Sequence, residues 1–236
     1  MTRSRSDSFE EALGALRERL GDRLVAERRL PPEPARPVDL LPPPHPSLST
    51  ALAAQGIERL WSHQVEAIAA ARAGRNVLVT TATASGKSLV FQLPVLEEAL
   101  AGGPGRALFL FPLKALGQDQ RGKILTLAQA AGLGTEDFSC EIYDGDTPAA
   151  KRALIRRRPP HVLVTNPDML HLGILAHPGN WMELLANLKW IVLDELHVYR
   201  GLFGAHFHHV LQRLLRLARA HGAEPRLIAS SATARL

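Results

Sequence analysis

At 236 residues, 46% hydrophobic and 22% charged, the chain is long enough to bury one large α/β core and too apolar for a mostly disordered polymer. Its formal net charge of +5 suits a polyanionic partner without identifying one. A single cysteine, Cys140, excludes an internal disulfide, a cysteine zinc site and an iron–sulfur cluster, and no apolar run approaches the roughly 20 residues that cross a bilayer. The expectation is a soluble cytoplasmic protein with no membrane partner.

In chain order, "FEEALGALRERLGDRLVAERR" has apolar residues at helical spacing and predicts an amphipathic helix, or a helix pair, broken near Gly21. The proline-rich "LPPEPARPVDLLPPPHP" follows, unfit for helix or central strand, and reads as an extended linker. Residues 1–45 are therefore expected to form a helical arm and linker, and residues 46–236 a globular domain. In that domain short apolar runs alternate with helical patterns. The runs are "NVLVTT" (76–81), "RALFLF" (106–111), "FSCEIY" (138–143), "HVLVTN" (161–166), "WIVLDE" (190–195) and "RLIASSAT" (226–233). Their lack of strict alternation is expected of strands covered on both faces, so the fold class is α/β, a mostly parallel sheet with helices on both sides. Thr147 before Pro148 reads as a helix N-cap with proline at the first helical position. Ligands of such sheets bind at the carboxyl ends of the strands.

One strand end carries "TTATASGKSLV". "SGKS" alone suits a surface turn equally well. With a strand before it and a helix after it, the loop suits a phosphate, because backbone N–H groups of Thr83, Ala84, Ser85 and Gly86 and a helix N-terminus converge on one point. Gly86 allows close approach, Lys87 places a charge against the β- and γ-phosphates, and the Ser88 hydroxyl suits Mg²⁺. The first glycine of the usual phosphate-loop pattern is replaced by Thr81, and Ala84 requires a loop path with negative φ. A second strand end carries "WIVLDELHVYR", where Asp194 suits the same Mg²⁺ and Glu195 suits the orientation and deprotonation of a water.

These parts together resemble the first RecA-like domain of superfamily two DEAD/DEAH-box helicases, most closely the MrfA/YprA-like DNA helicases. "LWSHQVEAI", "TATASGKS", "FPLKALGQDQ", "YDGDT", "TNPDML", "DELH" and "SAT" occur in the family's order over residues 46–236. The resemblance implies a domain that binds ATP and Mg²⁺ in a 3′-to-5′ DNA helicase or translocase. Gln64 is then the adenine-reading residue, Lys87, Asp194 and Glu195 are catalytic, and His197, Ser231 and Thr233 couple hydrolysis to motion. Pro112, Leu113, Lys114, Gly145, Thr165, Asn166, Pro167 and Asp168, with Asp146 nearby, are the implied contacts to the backbone of single-stranded or partly duplex nucleic acid. Trp61 either stacks on adenine or fills the core. Leu196 of "DELH" is an apolar replacement within the family motif. A further partner is implied, a second RecA-like domain bearing arginine fingers, which the sequence as it stands after "SAT" does not supply; without it, turnover is expected to be weak. An RNA-acting DEAD-box helicase, and a non-catalytic nucleic-acid-binding module on the same fold, are the alternatives.

Overall fold

Residues 5–28, 36–82 and 85–233 are described by a computed structural model. The chain divides into two units, Met1–Ala35 and Arg36–Leu236. In the first, α1 (Arg5–Leu20) ends in a single 3-10 turn, Gly21–Arg23, where the break was expected. Arg17 Nε donates to Glu27 Oε2 at 2.7 Å within the same unit.

In the second unit the end of the proline-rich stretch is tied down. β1 (Pro37–Val38) pairs antiparallel with β2 (Leu60–Trp61), and Leu40 is buried. The Arg72 guanidinium holds the Pro42 carbonyl and pairs with Glu97, its Nε lying 3.0 Å from Oε2. Residues 36–45 thus belong with the globular unit, and the boundary lies ten residues before the one read from composition.

The main sheet has six strands: β3 (Val77–Thr80), β4 (Arg106–Leu110), β5 (Cys140–Ile142), β6 (Val162–Thr165), β7 (Leu188–Leu193) and β8 (Arg226–Ser231). Each overlaps one of the six predicted runs, although β7 begins two residues before its run and ends before the acid pair. The spatial order is β3-β8-β7-β4-β6-β5 and every pairing is parallel. The continuous apolar runs have a simple cause: both faces are covered. Ala107, Phe109 and Phe111 face one core, with residues of α2 (Pro46–Ala54), α3 (Ser62–Arg72), α4 (Ser88–Leu100) and α5 (Lys114–Ala130). Leu108 and Leu110 face the other, with Trp181, α8 (Met182–Ala186) and α9 (Gly201–Ala220). Cys140 lies at the start of β5, and burial pushes its thiol pKa up to about 12.

One local expectation is corrected. α6 (Ala149–Arg157) begins after Pro148, and Thr147 does not cap it. The Thr147 hydroxyl instead meets the buried Asp144 carboxylate at 3.0 Å, and the Thr147 N–H donates to the same carboxylate at 3.1 Å. A buried carboxylate without those donors would be costly, so it outcompetes the helix end. No described helix is long and apolar enough to cross a membrane.

Candidate active site

The loop from β3 to α4 is held from behind by α3. Gln64 is 2% exposed; its Nε2 donates to the Gly86 carbonyl at 2.8 Å and its Oε1 accepts from Trp61 N at 2.8 Å. Both ends of this buried amide are thus engaged by the chain itself, which ties the start of α3 to the loop. His63 Nε2 lies 3.1 Å from the Ser85 carbonyl, a second clamp that no sequence pattern singled out. Gly86 has φ +75°, and a Cβ there would stand 2.5 Å from Gln64 Nε2. The position demands glycine both for its backbone and for its neighbour. Lys87 Nζ spans the loop, donating to the carbonyls of Thr81 at 2.8 Å and Ala82 at 2.6 Å. Ser88 opens α4 and, with Gly86, borders a groove of about 680 Å³ towards α5. Thr83 and Ala84, including the expected path at Ala84, lie outside the described residues. Trp61 is 42% exposed, which removes the core reading of that side chain.

The acid pair stands at the end of β7. The Asp194 N–H donates to Leu110 O at 3.2 Å and so extends the pairing with β4. Its Oδ1 accepts from Glu195 N at 3.0 Å and from the Ser230 hydroxyl. Glu195 has φ 51° and ψ 47°, the one non-glycine residue at positive φ among those described. Such a backbone costs about 1–3 kcal/mol and persists where the surroundings impose it, commonly at functional sites. Glu195 Oε2 is buried without a hydrogen bond; His197 Nδ1 lies 3.2 Å away but is not aligned to donate. The Tyr199 hydroxyl is buried without a partner too, and its pKa is raised, first by burial and then by the charge of Asp194. β8 separates β3 from β7, so loop and acids stand at one rim, two strand spacings or about 10 Å apart. Ser231 is buried and its Oγ lies 3.4 Å from Thr233 N; the Ser230 hydroxyl touches Asp194, a contact that sequence reading missed.

Further along the rim the order β7-β4-β6-β5 sets out the other loops. After β4, Leu113 is exposed and the exposed Lys114 donates to Asp146 Oδ2 at 2.6 Å, which raises the lysine pKa. After β6, the Thr165 hydroxyl is buried and donates to Tyr143 O at 2.6 Å, and Pro167 is buried. Asn166 Oδ1 accepts from Met169 N at 2.9 Å, capping α7 (Pro167–Met169). Thr165 and Pro167 shape this loop, while Asn166 and Asp168 reach its surface. After β5, Arg152 donates to the carbonyls of Asp144 and Gly145, both at 2.8 Å, and leaves Gly145 exposed. Among the described residues no three or more His, Cys, Asp or Glu form a metal-holding group.

A family model described as "DEAD/DEAH box helicase" matches residues 61–235. The chain is 44% identical over 186 residues to the ATP-dependent helicase YprA of Bacillus subtilis, covering 79% of this chain and 24% of that protein. It is 44% identical over 161 residues to the ATP-dependent helicase HRQ1 of Saccharomyces cerevisiae, covering 68% of this chain and 15% of that one. The crystal structure of the DUF1998 helicase MrfA bound to DNA and AMPPNP superposes with a TM-score of 0.84 at 39% identity, over 92% of this chain and 30% of that one. The chain spans about a quarter or less of the length of these two curated relatives.

Proposed function

Because the chain belongs to the DEAD/DEAH box helicase family, we propose that it is the nucleotide-binding motor domain of an ATP-dependent DNA helicase or translocase, with the 3′-to-5′ polarity the resemblance implies. The observation that carries this reading is the strand order β3-β8-β7, which puts the Lys87 loop and the Asp194–Glu195 pair at one rim. DNA is favoured over RNA by the likeness to the helicase MrfA, crystal structures of which were solved bound to DNA.

Each side chain has a role that its geometry supports. N–H groups of the loop and of the α4 N-terminus hold phosphate oxygens. Lys87 exchanges the Thr81 and Ala82 carbonyls for phosphate oxygens, keeping its charge satisfied in both states. Ser88 and Asp194 are the residues that would hold Mg²⁺: Asp194 has one oxygen fixed by Ser230 and the Glu195 N–H and offers the other. An ion held there would supply positive charge against the phosphates during transfer. Glu195, with a buried oxygen lacking any donor, orients the attacking water and takes its proton. The rim loops after β4, β6 and β5 hold a strand's phosphates through Lys114, Asn166 and backbone groups, without reading bases.

Two assays test this. Lys87→Ala is expected to abolish nucleotide binding while thermal unfolding stays unchanged, and undiminished affinity refutes the loop assignment. The intact protein is expected to unwind DNA duplexes; equal or better unwinding of RNA would favour the RNA-acting alternative.

A further inference from the structure

The roles above leave unused the segment that follows the acid pair. Val198, Leu202 and Phe203 are 42%, 88% and 39% exposed, a cluster of large apolar side chains beside the catalytic residues. Clusters of this kind mark contact surfaces. Beneath them is a built stack of rings. Tyr199 lies against Phe207 at 4.3 Å and 28°, and against Phe203 at 5.5 Å and 12°. Phe207 is buried, so the stack runs from the core outward and Phe203 is its surface member. Gly204 makes it fit: a Cβ there would stand 2.5 Å from the Tyr199 carbonyl oxygen, so only glycine lets that backbone lie against α9.

The location is informative. β7, from which the segment emerges, is the neighbour of β4, whose loop carries Lys114. His206 on α9 meets the ring of His171 at 5.2 Å and 86°, and His171 lies just beyond the Asn166–Asp168 loop. The first turns of α9 therefore reach the segment that follows the loop after β6, one of those assigned to the phosphates of a strand. No residue from 198 to 209 is acidic and Arg200 and His206 are exposed there, so a polyanion can approach the outer, Phe203 end of the stack, whereas the charge of Asp194 is felt further in, at Tyr199.

We propose that Phe203, backed by Tyr199 and flanked by Leu202, is a stacking platform for one base of single-stranded nucleic acid. The proposal rests on the reading of the rim loops as the phosphate contacts. Those loops hold the backbone, and the ring takes a base face, which every base offers regardless of sequence.

The test uses the intact protein and a single strand carrying one 5-iodouracil, moved position by position and crosslinked by long-wavelength light. One register is expected to crosslink to Phe203 or Tyr199, identified by peptide mass spectrometry. With an ordinary base at that register, Phe203→Ala is expected to weaken binding about 5- to 150-fold. With an abasic residue there, variant and wild type are expected to bind alike. Phe203→Leu, which keeps an apolar side chain on the helix, is expected to show the same base-dependent loss with unchanged thermal unfolding. Wild-type affinity for Phe203→Ala overturns the proposal. So does a loss that persists in full on the abasic strand, the mark of a structural role or a protein-docking surface. Lys114→Ala separates the two levels. If it weakens strand binding and Phe203→Ala does not, the platform alone fails. If the wild type binds no single strand, the rim reading fails with it.

Discussion

Replacing Ser230 by alanine removes one hydroxyl and tests how Asp194 is held. The Ser230 hydroxyl donates to Asp194 Oδ1, and Ser230 is 2% exposed, so water does not readily take its place. Glu195 N, at 3.0 Å, then remains as the described donor to that oxygen. A hydrogen bond to a charged group contributes about 1.5–3 kcal/mol, which corresponds to roughly 10- to 150-fold in an equilibrium that depends on the carboxylate's placement. Groups that orient a metal ligand affect metal affinity by about 10- to 100-fold. The two ranges agree, so the Mg²⁺ concentration that half-saturates nucleotide hydrolysis is expected to rise about 10- to 100-fold in Ser230→Ala. At saturating Mg²⁺ the turnover recovers, and metal-free nucleotide binding, followed with a fluorescent ATP analogue, stays unchanged. A half-saturating concentration within about twofold of wild type refutes the idea that this hydroxyl orients a metal-holding carboxylate.

Two further outcomes concern the folded state. Gly204→Ala forces a methyl group against the Tyr199 carbonyl and is expected to cost about 1–3 kcal/mol. For a domain of this size that is roughly 2–12 °C in Tm, and calorimetry showing no shift contradicts the packing described. The pKa of His161 is held below its usual 6.5, first by burial and then by the charges of Arg106 and Arg158. With the folded value below the unfolded one, the unfolded state takes up the proton first; the contribution is constant above about pH 6.5 and is lost as pH falls through the window beneath it. Denaturant midpoints at about pH 7.5 and about pH 5.5 should therefore differ less in His161→Gln than in wild type, and an equal difference rules the histidine out as the cause.

The sheet was legible because its strands are covered on both faces, so each became a short continuous apolar run. The acid pair was legible for a related reason: charges directly after "WIVL" are conspicuous. The partner of Asp194 was not legible. β8 pairs with β7 in the register Leu193↔Ala229, which brings Ser230 opposite Asp194; a slip of one residue would bring Ser231 there instead. Register depends on packing, and two adjacent serines look alike in a sequence. His63 escaped notice because a lone histidine beside Gln64 belongs to no spacing pattern. Composition separated residues 1–45 from the rest because proline content shows that a segment is extended, not what it packs on. The burial of Leu40 and the hold of Arg72 on Pro42 are long-range facts. Thr147 misled because its capping chemistry also serves a buried carboxylate three residues earlier.

The most direct test of the nucleotide site is Glu195→Gln, which keeps the side chain's size and removes its ability to accept a proton. Nucleotide binding is expected to be retained, while nucleic-acid-stimulated hydrolysis by the intact protein falls about 10²- to 10⁴-fold. Hydrolysis at the wild-type rate would contradict the assignment of Asp194, Glu195 and Lys87 to one catalytic centre.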